Sequence, residues 1–221
     1  VVMVANWARH KRHSTLFRAL RRIEDRRLTV LLIGFPWGGR TADDIRREAA
    51  RLLPPNVRVV ILEQLAHAEV ASRLAMSRAF VFLSKKEGDN KAVVEALFAD
   101  VPAVVFKDSV GGATSRINPA TGLLTSDADL AESIVHVLDR PEEFAPRNWA
   151  LQHTGSAIAS RILEEAIGSA LGERGEVFVE PLFEKTNSPN LAYRHPTDRS
   201  LVQDDIRAIL SCRRVVDGLP T

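Results

Sequence analysis

Apolar runs of roughly five residues alternate with amphipathic stretches of roughly ten from residue 1 to about 125, the two periods expected of buried strands and surface helices. Residues 1–5 read as a strand. Residues 14–23 read as a helix, because Leu16, Leu20 and Ile23 fall on one helical face. Further strands are expected over 29–33, 57–62, 79–83 and 101–106, and further helices over 41–52, 67–77, 90–99 and 127–138. Thr41 with Asp44, and Ser126 with Asp129, have the spacing of capping boxes at helix starts. Pro54-Pro55 stops the helix that precedes it. The strands are continuous Val, Ile and Leu runs rather than alternating ones, the pattern of parallel strands buried on both faces.

This alternation predicts an α/β fold, a Rossmann-like parallel sheet with helices on both faces, over residues 1–145. Such sheets bind ligands outside the carboxyl ends of their strands, so the informative residues should follow strands. Residues 146–171 read as helical, in two pieces around Gly155. From 172 to 221 the periodicity weakens and four of the eleven prolines appear; an extended tail with one short helix over 201–210 is expected.

Composition adds exclusions. Hydrophobic residues make up 45% and charged residues 26%, a globular balance. Cys212 is the single cysteine, which excludes an internal disulfide framework and a Cys-rich zinc site and favours a reducing cytoplasm. No apolar run approaches the roughly 20 residues that span a bilayer. The chain opens on a strand-like run at Val1 rather than on a methionine, and reads as a piece of a longer protein.

The net charge of +2 carries no nucleic-acid signature, and one tyrosine leaves no basic–aromatic interleaving. Residues 9–27 are different: eight basic residues stand against Glu24 and Asp25, a surplus of six. A basic helix of this kind is expected to face solvent, an anionic membrane surface or a phosphate-bearing ligand. On the membrane reading, the protein is peripheral to the inner face of the membrane.

The segment from Ser84 to Leu97 concentrates the candidate chemistry. A buried strand ends at Leu83, a polar loop containing Gly88 follows, and a helix starts near Asn90. Free N–H groups and the dipole at that helix start favour a phosphate. Glu87 in the loop and Glu95 in the second helical turn can face one crevice, where a carboxylate accepts paired hydrogen bonds from vicinal hydroxyls. The competing reading pairs Glu95 with Lys91 at i, i+4 and leaves Glu87 as a solvated loop acid. Gly34-Phe35-Pro36-Trp37-Gly38-Gly39 reads as a plain loop near the ligand, without a phosphate-loop lysine in register. The histidines show no metal-like spacing.

Leu83-Ser84-Lys85-Lys86-Glu87-Gly88, then Glu95-Ala96-Leu97-Phe98-Ala99-Asp100-Val101-Pro102-Ala103-Val104-Val105, resemble in order and spacing the donor-binding motif of the retaining, sugar-nucleotide-using group 1 glycosyltransferases of the GT-B fold. Gly111-Gly112 resembles that family's glycine pair, and Asn118 to Leu124 its Gly-x-Thr-Gly-Leu-Leu. Val4-Ala5-Asn6-Trp7, followed by Lys11-Arg12, stands where the family has Val-Gly-Arg-Leu and then Lys-Gly. The resemblance covers about residues 1–140.

The resemblance implies the C-terminal, donor-nucleotide half of such an enzyme, with the N-terminal acceptor domain absent. It implies that Lys11 holds the donor diphosphate, that Glu87 contacts the transferred sugar or its leaving phosphate, and that Glu95 binds the ribose. Gly88, Asp89, Asn90, Lys91, Gly111 and Gly112 would line the phosphate and sugar pocket. The donor would be a UDP- or GDP-hexose, the acceptor a glycan or lipid-linked sugar, and no metal or cofactor would be needed. Three departures stand out. The family's Arg is Asn6, with Arg9 as a substitute in the same loop; Phe-Gly is Asp89-Asn90; and Gly is Asp100. They support a second reading, a non-catalytic nucleotide-sugar or phosphate-binding module of the same fold.

Overall fold

The computed structural model describes residues 1–179, with 182, 200, 203, 204 and 207. Residues Val1–Gly155 form one compact unit. Six strands build its sheet: β1 (Val2–Val4), β2 (Leu28–Gly34), β3 (Val57–Glu63), β4 (Phe80–Phe82), β5 (Ala103–Phe106) and β6 (Gly122–Thr125). Their order is β3-β2-β1-β4-β5-β6 and every pairing is parallel. Six helices belong to this unit: α1 (His13–Leu20), α2 (Ala42–Leu52), α3 (His67–Ala75), α4 (Lys91–Phe98), α5 (Leu130–Asp139) and α6 (Pro146–His153). The Rossmann-like expectation is met.

Why the strands are continuously apolar is visible in the two cores. Met3, Val30, Leu32, Val81, Leu83, Val104 and Phe106 face α1, α2 and α5. Val2, Ile33, Phe80, Phe82, Ala103 and Val105 face α3, α4 and α6. Neighbours along each strand thus feed opposite layers, and both need apolar side chains. Phe17, Leu20 and Trp7 are among the fully buried side chains. Each large apolar side chain buried in this way contributes about 1.5–3 kcal/mol.

Two expected boundaries move by three residues. The helix expected over 127–138 starts at Leu130, because the Asp129 N–H turns back to Ser126 Oγ at 3.2 Å and spends the Ser-x-x-Asp pair on a turn. The first helix ends at Leu20 rather than at residue 23; Ile23 still packs into the core from the following turn. One strand was not expected. β6 is only four residues long and pairs with β5 alone. Gly122 pairs with Ala103 there at φ +148°, and a Cβ on it would stand 1.9 Å from the Ala103 carbonyl oxygen. The glycine permits that close approach.

The capping box at Thr41 forms: Asp44 Oδ2 accepts from the Thr41 N–H at 2.8 Å. The helical expectation for 146–171 is met by α6 and by α7 (Ser156–Gly172), with Gly155 between them at φ +109°. Helix α7 belongs to a second compact unit that starts at Ser156. The extended tail expected over 172–221, and its helix over 201–210, lie largely outside the described residues. No helix among the described residues is long and apolar enough to cross a membrane.

Candidate functional site

The strand order reverses between β1 and β4, the first and fourth strands in sequence but neighbours in the sheet. A crevice opens at the carboxyl ends of strands at such a switch point. The loops leaving β1 and β4 carry Lys11 and Glu87, and the two side chains meet there in a hydrogen-bonded ion pair.

The β1 loop is anchored before it reaches Lys11. Trp7 is fully buried, its indole N–H donates to Glu63 Oε1 at 2.6 Å, and its main-chain oxygen accepts from Arg40 Nη1 at 3.0 Å. Gly34 lets β2 pass close by, since a Cβ there would lie 2.9 Å from the Trp7 ring and 2.1 Å from the Ala5 carbonyl oxygen. A 3₁₀ turn over Arg9–Lys11 follows, and Arg12 joins it to α1 at φ +66°. The left-handed conformation is one that glycine adopts without cost. Arg12 holds it through the Leu83 carbonyl (3.2 Å), an ion pair with Asp127 and a guanidinium stacked 4.5 Å above the Phe106 ring. Lys11 is left with a side chain only 11% exposed, against 19% for Glu87.

The β4 loop is fixed from the other side. The Glu87 N–H donates to the Val110 carbonyl at 2.9 Å, and the Val110 N–H to the Lys85 carbonyl at 2.8 Å. Gly111 follows at φ +131°, where a Cβ would meet the Glu87 carbonyl oxygen at 2.2 Å. Gly111 therefore buttresses the backbone of the glutamate loop. Burial works to raise the Glu87 pKa. Hydrogen bonds from Lys11 and Ser84 and the charges of Lys11 and His10 outweigh it, so the carboxyl stays below its ordinary range and ionised at neutral pH.

Helix α4 starts where expected. Asn90 caps it, its Oδ1 accepting from the Val93 N–H at 3.2 Å. Asp89 pairs with Arg116 (2.6 Å), which neutralises the charge that replaces the family's aromatic residue. Glu95 does not pair with Lys91. Its carboxylate lies 3.1 Å from Nε2 of His67, the first residue of α3. Lys91 is exposed at the first helical position. Asp100 sits at φ +62°, and its Oδ1 accepts from the Arg147 N–H at 3.1 Å, tying the end of α4 to the start of α6.

Two candidates stand apart from the ion pair. The Asn6 amide oxygen accepts from the Ala8 N–H at 3.2 Å and so shapes the turn. Arg9 lines a hollow against α2 whose walls include none of Lys11, Glu87 and Glu95. Sequence reasoning missed His67 and Arg116. His67 carried a usable signal, because it opens the helix that follows β3. Arg116 carried none, since its pairing with Asp89 reaches across 27 residues that include α4 and β5.

Four of the eight basic residues of the 9–27 stretch are ion-paired within the fold. Lys11 pairs with Glu87, Arg12 with Asp127, Arg22 with Glu132 and Arg26 with Asp25 and Asp139. Among the described residues, no group of three or more His, Cys, Asp or Glu side chains could hold a metal ion.

Sucrose-phosphate synthase from Thermosynechococcus elongatus matches the chain with a TM-score of 0.60 at 23% identity, over 76% of this chain and 46% of that one. HepE of Anabaena, solved in complex with UDP-glucose, matches with a TM-score of 0.61 at 20% identity, over 76% and 48%. The lipopolysaccharide outer core galactosyltransferase WaaB matches with 0.62 at 18% identity, over 77% and 50%. These likenesses are to the fold, and the chain spans about half the length of each of the three structures. A comparison with curated proteins found no match. The model of the glycosyl transferases group 1 family matches residues 1–148, a span that holds the whole six-stranded sheet, Lys11, Glu87 and Glu95, and on that extent of match the chain belongs to this family.

Proposed function

We propose that this chain is the donor-binding half of a retaining glycosyltransferase that moves a hexosyl unit from UDP- or GDP-hexose to a glycan or lipid-linked acceptor. The observation that carries the reading is the Lys11–Glu87 pair at the switch point of the sheet. In the transfer, the bond from the anomeric carbon to the diphosphate oxygen breaks and negative charge grows on the departing nucleoside diphosphate. A fixed cation and the free N–H groups at the start of α4 stabilise that charge best in a site that needs no reorganisation.

On this reading Lys11 holds the diphosphate, and Glu87, ionised beside it, contacts the transferred sugar. Gly88, Asp89, Asn90 and Lys91 bring the α4 N–H groups to the phosphates, and Gly111-Gly112 keep that backbone in place. Glu95 accepts from the ribose hydroxyls once His67 swings aside. HepE, of similar fold, is solved with UDP-glucose, which favours a uridine donor. On this reading the transfer needs no metal, as the family resemblance implies. The single cysteine favours a cytoplasmic setting. Arg9, Arg18, Arg21 and Arg27, which make no ion pair among the described residues, would carry a peripheral contact with an anionic membrane.

The second reading is a nucleotide-binding module without turnover. It is favoured by Asn6, whose amide carries no charge and is spent on its own turn. Calorimetric titration with UDP, GDP and ADP tests binding. Saturable uptake of one nucleotide, weakened in Glu95→Ala and Lys11→Ala, is the expected result. Sugar transfer by the full-length protein with retention of configuration separates enzyme from module, and nucleotide binding without turnover would establish the module.

A further inference from the structure

Helix α2 presents one wholly charged face. Asp44, Arg47, Glu48 and Arg51 recur at i, i+3, i+4 and i+7, opposite the buried Ile45 and Ala49. They line a hollow of about 450 Å³ together with Arg9, Arg40 and the Gly38-Gly39 turn. The acids are already engaged. Asp44 accepts from the Thr41 N–H and pairs with Arg47, while Glu48 pairs with the buried Arg40. Arg40 is held further by the Trp7 carbonyl. Two guanidinium groups, Arg9 and Arg51, are left over, and neither has a hydrogen-bond or ion-pair partner among the described residues.

We infer that this hollow is an anion site that takes the phosphate group of a small phosphorylated ligand. Like charges converging on one concavity repel one another until a counter-charge arrives. Guanidinium groups match the oxygens of a phosphate in paired hydrogen bonds, which a point charge does not. The size suits a phosphate together with a sugar ring. Gly38 and Gly39, at φ +59° and +75°, make a tight turn between Trp37 and Arg40 and leave the rim open, with no atom within 4 Å of either missing side chain. The site shares the Arg9–Lys11 turn with the Lys11–Glu87 pair but none of its charged atoms, so it stands whether or not the proposed donor is bound.

Calorimetric titration with inorganic phosphate, glucose 6-phosphate and glucose, at one fixed low ionic strength, tests it. Both phosphates are expected to bind saturably and glucose not at all. Tighter binding of glucose 6-phosphate would identify a phosphorylated saccharide as the occupant, and equal binding free phosphate. Arg51→Ala, an exposed substitution whose folding is checked by circular dichroism, is expected to weaken both at least fivefold, and Lys11→Ala to change them less than twofold. Absence of phosphate-dependent binding, or its loss in Lys11→Ala rather than Arg51→Ala, overturns the assignment. Phosphate binding by a chain that takes up no nucleotide would sink the donor reading and leave this site standing.

Discussion

The Lys11 ammonium and the Glu87 carboxylate, 76 residues apart in the chain, close an ion pair across the carboxyl ends of β1 and β4. Both side chains are mostly buried, so solvent screens the pair less than a surface contact. Truncating either one leaves the other charge without its partner in a poor environment for it. Lys11→Ala and Glu87→Ala are each expected to cost about 1–3 kcal/mol in denaturant unfolding. A double-mutant cycle is expected to return a coupling of about 1–2 kcal/mol. Additive single effects would show that the contact carries no energy. In the full-length protein Glu87→Ala should depress turnover far more than donor affinity, the mark of an interaction made in the transition state, whereas Lys11→Ala should lower both.

Gly111 carries a second prediction. Gly111→Ala must place a Cβ 2.2 Å from the Glu87 carbonyl oxygen, and at a φ of +131°. Backbone blocks it, so no side chain can move aside. A loss of about 2–4 kcal/mol is expected, from strain together with the displaced Glu87 loop. Gly112→Ala makes the useful control: its Cβ meets the Asp89 carboxylate, the end of an exposed side chain that can rotate away. A loss of no more than about 1 kcal/mol is expected there. Equal costs at the two positions would contradict the buttress described above.

These two positions also show what was legible in the chain. The strands and the helices between them were readable because both faces of the sheet are buried, which forces continuous apolar runs such as 29–33 and 101–106. β6 was not, because a four-residue edge strand of Gly, Leu, Leu and Thr has too little pattern to register. The family resemblance placed Lys11 and Glu87 at one donor site without predicting that they pair; the residues alone left Glu87 with the competing reading of a solvated loop acid. The departures at Asp89 and Asp100 became intelligible only in three dimensions. Arg116 answers the first, and the second uses its carboxylate to hold the start of α6. Arg12, standing where the family has glycine, keeps the left-handed backbone through contacts with Leu83, Phe106 and Asp127, none near it in sequence.

Glu95 and His67 give a third prediction. His67 occupies the carboxylate that the proposed ribose would need, and its own side chain is 81% exposed. An exposed pair of this kind contributes little, about 0–1 kcal/mol. His67→Ala is therefore expected to leave stability unchanged and to tighten UDP binding slightly, by about twofold, through removal of a competitor. Glu95→Ala is expected to weaken it about tenfold or more, the cost of losing a charge-assisted hydrogen bond. Weaker nucleotide binding in His67→Ala would instead make the histidine part of the nucleotide site.

His13 links the site to pH. The residue is 1% exposed, its ring packs edge-on to Trp7 at 5.4 Å between centroids, and neither nitrogen has a hydrogen-bond partner among the described residues. Burial first, then the positive charges of Arg40 and Lys11, push its pKa from 6.5 down to about 3. The unfolded chain therefore binds a proton that the folded chain refuses between those two values. Stability from this group is complete above about pH 6.5 and falls as pH drops toward 3. At pH 5 the loss amounts to about 2 kcal/mol, since each unit below the unfolded pKa costs about 1.4 kcal/mol. Glu87 acts in the same direction at lower pH: its depressed carboxyl contributes above the ordinary carboxylate range and is lost as pH falls through its folded value. His13→Phe fills a similar volume without titrating. Between pH 7 and pH 5 it should flatten the stability profile, measured by urea unfolding, while Glu87→Gln leaves that part of the profile intact. A wild-type stability that does not change between pH 7 and pH 5 would mean that His13 gains its proton without penalty, and that the buried ring reaches water or a partner on protonation.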